Sequence, residues 1–158
     1  MSGTGKSAVI EELAARGYKA VDTDYHGLSE AVSVPEDELT GLDPGQDWVW
    51  REDRIQHLLS TDDSDLLFLS GCAPNQEMFY PRFDHIILLT APAHVIVERL
   101  ATRTNNPYGT RAEDIARTLD LRQTVEPLLR RGAGTVIDTS VPLNQVVDEL
   151  LRLVGVGA

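Results

Sequence analysis

The sequence predicts an α/β fold, a parallel sheet covered by helices on both sides. Three observations predict it. Short apolar runs alternate with segments of helical period along the chain. One run, Ile86-Ile87-Leu88-Leu89-Thr90, is apolar enough to be covered on both faces. The first helix follows directly on a glycine-containing turn, Ser2-Gly3-Thr4-Gly5. A length of 158 residues suits one well-buried domain over 1–158 and is short for two.

The elements follow in order. Residues 6–16 read as a helix, with Val9, Ile10, Leu13 and Ala14 on one face and Gly17 as its stop. Lys19-Ala20-Val21-Asp22 reads as a short buried strand. Residues 25–47 are rich in Gly, Pro, Asp and Glu without a sustained period, which predicts a long loop or mobile flap. Residues 48–60 read as a helix with Ile55, Leu58 and Leu59 on its apolar side, anchored by Trp48 and Trp50. A polar turn at 62–65 leads into the strand Leu66-Leu67-Phe68-Leu69-Ser70, and a short helix is expected over 75–80 before Pro81. After the Ile86 strand, Pro92 suits a first helical position, and Val95, Ile96, Arg99 and Leu100 carry that helix on. Residues 103–111 hold Asn105, Asn106, Pro107 and Gly109 and read as a loop. Residues 113–131 return to helix, with Pro127 marking a kink or a new start. Thr135-Val136-Ile137-Asp138 is the last strand and 143–153 the last helix.

Composition narrows the function. The chain is 42 % hydrophobic and 25 % charged, as soluble globular proteins are. No stretch approaches the roughly 20 consecutive apolar residues of a membrane-spanning helix. A signal-peptide pattern is missing, and the single Cys72 cannot form an internal disulfide, so a cytoplasmic protein is expected. With 14 basic and 25 acidic residues the net charge is −11, which argues against a nucleic-acid partner. Any anion must be held by a local arrangement. His26, His57, His85 and His94 do not stand at metal-ligand spacing.

That local arrangement is at the N-terminus. A phosphate-binding loop is a glycine, four variable residues, then Gly-Lys-Ser or Gly-Lys-Thr. Gly5, Lys6 and Ser7 fill its last three positions, preceded by Met1, Ser2, Gly3 and Thr4. Small residues let backbone N–H groups close round phosphate oxygens, and the helix N-terminus, through Ala8, adds partial positive charge. Lys6 is then the ligand of the β- and γ-phosphates of ATP, and Ser7 a ligand of Mg²⁺. The buried strand that normally precedes such a loop has no residues here. A central strand buries three or four large side chains at roughly 1.5–3 kcal/mol each. The expectation is therefore that Met1 is internal and that in-frame upstream DNA encodes a Val/Ile/Leu-rich run ending in glycine. A partner chain or a looser sheet is the alternative.

Two acids, Asp22 and Asp24, stand at the end of the second predicted strand position, where open α/β sheets bind ligands. Period-two alternation points them the same way. One can hold Mg²⁺ through water and the other can orient or deprotonate an acceptor hydroxyl.

The order of phosphate loop, helix, strand and Asp-x-Asp resembles shikimate kinase and its relatives, gluconate and adenylate kinases. The resemblance implies a three-layer P-loop NTPase fold with strand order 2-3-1-4-5, its central strand 1 missing from this chain. It implies an acceptor-side flap at 25–50, Gly71 lining the acceptor site, and a lid loop at 103–112. It also makes Thr139 and Ser140 part of the adenine-side loop. Departures are Cys72-Ala73-Pro74 after Gly71 instead of further glycines, and a lid reading Arg103-Thr104-Asn105-Asn106-Pro107-Tyr108-Gly109. In the same likeness Arg54 grips an acceptor carboxylate or phosphate, or else lies on a helix surface. Arg99 and Arg103, one helical turn apart, both face the nucleotide, and one of them or Arg111 stabilises charge on the transferred phosphoryl group. The expected activity is ATP- and Mg²⁺-dependent phosphoryl transfer to a small molecule, with Lys6, Asp24 and Arg103 as catalytic residues. An ATP-binding regulatory module, an ATPase switch, or an inactive fragment are the alternatives. Leu66-Leu67-Phe68-Leu69-Ser70-Gly71 lacks the strand-end Asp of motor ATPases and GTPases, which counts against a switch.

Overall fold

The first helix, α1 (Lys6–Ala15), ends where Gly17 lets it. Gly17 adopts φ +91, its N–H bonds the Ala14 carbonyl at 3.0 Å, and the Tyr18 N–H reaches back to Leu13 at 3.1 Å. That pair of bonds is a Schellman stop, and it aims the chain into the first strand. The computed structural model describes residues 1–104 and 108–156, so Asn105, Asn106 and Pro107 of the expected lid lie outside the described residues. The chain divides into two compact units, one of Met1–Val9 with His85–Ala158 and one of Ile10–Asp84.

In the Ile10–Asp84 unit, β1 (Lys19–Asp22) pairs in parallel with β4 (Leu67–Ser70), from Lys19 opposite Leu67 to Asp22 opposite Ser70. Between them come β2 (Ser29–Ser33), β3 (Gln46–Trp50) and α2 (Glu52–Ser60). A 3₁₀ segment, Gln76–Arg82, follows β4. Leu28, Trp50, Ile55, Ala73 and Phe79 form the buried core, with Val21 and Leu69 from the two parallel strands packed against it.

This unit corrects two expectations. Residues 25–47 are not simply a loop, because β2 and β3 form an antiparallel hairpin with Ala31 opposite Trp48 and Ser29 opposite Trp50. The helix begins at Glu52, so Trp48 and Trp50 belong to a strand and do not anchor a helix. The reason is local. Aromatic and β-branched residues in Trp48-Val49-Trp50 favour extended backbone, whereas the acids Glu52 and Asp53 favour a helix N-terminus. The partner strand, Ser-Glu-Ala-Val-Ser, is mostly exposed and carries too few apolar residues to show a period.

In the other unit, β5 (Ile87–Thr90) and β6 (Thr135–Asp138) pair in parallel, Ile87 with Thr135 through Thr90 with Asp138. Pro92 stands one residue before α3 (Ala93–Thr102). The helix expected at 113–131 divides into α4 (Ala112–Thr124) and α5 (Glu126–Gly132), with Pro127 in the first turn of α5, where its missing N–H costs nothing. In α6 (Leu143–Leu153), Val146, Val147, Leu150 and Leu151 are buried at helical spacing. A smaller core joins Ala91, Ile96 and Leu100.

The pairs β1–β4 and β5–β6 match the 2–3 and 4–5 pairs of the expected strand order. Ile87, Leu88 and Leu89 are half-buried, less than a strand covered on both faces requires, and β5 has one paired neighbour among the described residues. No helix of the described residues is long and apolar enough to cross a membrane.

Candidate functional site

The glycines of the N-terminal loop are required by its path. Gly3 and Gly5 adopt φ +78 and +89, left-handed values that side chains resist. A Cβ on Gly3 would also stand 2.9 Å from Ile96 Cγ2, so the loop lies directly against α3. Helix α1 starts at Lys6, as the loop pattern requires, and the Val9 N–H bonds the Gly5 carbonyl at 3.1 Å. Thr4, only 1 % exposed, donates its hydroxyl to the Met1 carbonyl at 3.0 Å, and the Lys6 ammonium donates to the same oxygen at 2.5 Å. The lysine thus folds back over its own loop. Ser2 and Ser7 are half-buried and Ala8 is exposed.

The loop is tied to the end of β6 by Arg99. Its guanidinium donates to the Gly3 carbonyl at 3.2 Å, to Thr139 Oγ1 at 2.9 Å and to the Thr139 carbonyl. Thr139, 3 % exposed, donates its hydroxyl to the Thr4 carbonyl at 2.9 Å. Arg99, Thr139, Gly3 and Thr4, all predicted from sequence as nucleotide-side residues, therefore form one network. Ser140 contributes its backbone N–H to Asp138 Oδ1 at 2.8 Å. The Ser140 side-chain hydrogen bond and this N–H hold the Asp138 carboxyl below its ordinary range.

Arg103 behaves differently. The helix ends at Thr102, and Arg103 caps it with φ −69 and ψ 144, its N–H bonding the Arg99 carbonyl at 3.1 Å. Its guanidinium donates to the Tyr108 carbonyl and lies 5.8 Å from the Tyr108 ring centre. Beyond it, Asp114 is 2 % exposed and accepts from Arg111 Nη2 at 3.1 Å, Arg111 Nε at 3.2 Å and the Gly109 N–H at 3.1 Å. The Arg111 hydrogen bond is the main reason its carboxyl titrates below the usual range, against burial, which acts the other way. Sequence reasoning missed Asp114; its only signal was an Arg-x-x-Asp spacing at a helix start.

In the Ile10–Asp84 unit, Asp22 closes β1 and is 8 % exposed, accepting the Asp24 N–H on Oδ1 at 3.0 Å. Asp24 lies past the strand end and is exposed. The alternation expected to align the two acids stops at Asp22, and they face different surroundings. Asp24 accepts the indole N–H of Trp48 at 3.0 Å. The space before Gly71 is filled by protein: a Cβ there would stand 2.0 Å from Thr23 Oγ1 and 2.9 Å from Trp50 Nε1. Arg54 lies against the backbone of Gly27 and lines a cavity of 520 Å³ with Lys19, Leu28 and His57. Lys19 is at the opposite end of β1 from Asp22. Among the described residues no cluster of three or more His, Cys, Asp or Glu could hold a metal ion.

Comparison with known proteins agrees with this loop. The chain is 25 % identical over 157 residues to shikimate kinase 2 of Yersinia enterocolitica, covering 96 % of this chain and 90 % of that protein. It is 28 % identical over 162 residues to a nucleotide-binding protein of Acidiphilium cryptum, covering 99 % of this chain and 48 % of the relative, about half its length. Residues 1–120 match the AAA domain family, which is most of the chain. The protein belongs to that family of P-loop, kinase-like nucleotide-binding proteins.

Proposed function

We propose that the protein transfers the γ-phosphoryl group of ATP to a hydroxyl or phosphate of a small metabolite. The observation that carries this reading is the start of α1 at Lys6, behind two left-handed glycines. That arrangement aims main-chain donors and a lysine at an anion. Lys6 would leave the Met1 carbonyl for the β- and γ-phosphates, with Ser2, Gly3, Thr4, Gly5, Ser7 and Ala8 supplying the cradle. Arg99, Thr139 and Ser140 would face the nucleotide. Ser7 and Asp22 each offer a hard oxygen donor of the kind Mg²⁺ accepts beside phosphate and water; a metal so held would neutralise phosphate charge.

On this reading Asp24 orients or deprotonates the acceptor hydroxyl, Arg54 and Gly71 belong to the acceptor side with the 25–50 flap, and the 103–112 loop closes as a lid that excludes water. Arg103 would support the transferred group from that lid. ATP titration with and without Mg²⁺, followed by a screen of hydroxylated metabolites and nucleosides for ADP release, tests this. Stimulation by one acceptor supports the kinase. Turnover indifferent to every acceptor would instead support an ATPase switch.

A further inference from the structure

The hydrogen bond between Trp48 and Asp24 links the hairpin to the acid assigned to the acceptor. Trp48 and Trp50 are two residues apart on β3, so their side chains leave the same face of the strand. Trp50 fixes that face. It is 6 % exposed, packs 5.8 Å from the Phe79 ring centre, and exchanges two backbone hydrogen bonds with the Asn75 side chain at 3.0 and 2.9 Å. Opposite Trp48 stands Ala31, too small to displace the indole. The turn that carries Asp24 is held from its own side: the Ser29 hydroxyl donates to the Thr23 carbonyl at 2.7 Å, and Thr23 is fully buried. Both ends of the 3.0 Å indole–carboxylate contact are thus anchored in one unit.

The geometry points to Trp48 as a positioning residue for Asp24. An indole N–H only donates, so it cannot take the acceptor's proton. It occupies Oδ1 and leaves Oδ2 to meet an acceptor hydroxyl. Asp24 is otherwise on an exposed turn, with His26 at φ 60 two residues on, where a carboxylate would sample several rotamers. Holding it in one of them lowers the entropy lost in reaching the reactive arrangement. The hairpin therefore contributes to catalysis through a single N–H, and the carboxylate is in place only while the hairpin is.

This inference rests on Asp24 acting on the acceptor, and its test separates the two. The two indole N–H signals of the full chain are assigned in a nitrogen-correlated proton spectrum with Trp48→Phe. Asp24→Asn is then expected to move the Trp48 signal and leave the Trp50 signal in place; an unmoved Trp48 signal overturns the contact itself. With an acceptor in hand, replacing Trp48 by its benzothiophene analogue, which keeps the shape and lacks the N–H, is expected to lower kcat roughly ten- to hundred-fold. The KM for ATP is expected to stay unchanged, as a general loss of structure would not allow. Full kcat in the analogue, with Asp24→Asn inactive, overturns the positioning role and leaves the base assignment standing. Full activity in Asp24→Asn overturns both.

Discussion

At Arg99 one guanidinium joins the N-terminal loop to the end of β6, and nothing in the local sequence announces that it does. Its partners lie 96 and 40 residues away, at Gly3 and Thr139. Arg99→Lys keeps the charge and loses the fork that reaches both. It is expected to lower thermal stability modestly and to weaken ATP binding about tenfold, read by calorimetric titration, because the Gly3 and Thr139 carbonyls are no longer held. Asp114 gives a prediction in pH. Its folded carboxyl titrates below the ordinary value of 3.8, so its contribution is fully present above that value and is lost as pH falls through the folded one. Asp114→Asn is expected to reduce urea stability at neutral pH and to lessen the further loss of stability as pH falls below about 4. An unchanged acid limb in the variant would show that Asp114 does not carry that loss.

Helices and parallel strands were legible because their signals are periodic and local. The expected last helix at 143–153 has the bounds of α6, and of the two readings of Pro127, a kink or a new start, the structure shows the second. The β2–β3 hairpin was not legible, because its pairing partners are joined by a long, polar, turn-rich segment and one strand is mostly exposed. Its energetic anchor is Trp50, which fills the core with Leu28, Ile55 and Phe79. Trp50→Ala is expected to cost roughly 3–5 kcal/mol in equilibrium denaturant unfolding. A loss below about 1 kcal/mol would mean that the hairpin only lies on the surface of its unit. Arg103 caps α3 one turn after Arg99, and its guanidinium meets the Tyr108 carbonyl, a partner that the helix period does not announce.

For the whole molecule, a net charge of −11 makes the local character of the phosphate site decisive. A nucleoside triphosphate meets an overall field that repels it, so attraction must come from oriented amides, a helix end and Lys6 over a few ångströms. The N-terminal part of that apparatus could be read from seven residues. The network that braces it could not, since hydrogen bonds between distant segments leave no mark on a sequence. Titration of ATP in the presence of Mg²⁺, with wild type and Lys6→Ala compared by calorimetry, tests the central claim most directly. Saturable one-to-one binding is expected, weakening about a hundredfold or more in Lys6→Ala while the circular dichroism spectrum is kept. Equal affinity in the two proteins would contradict it.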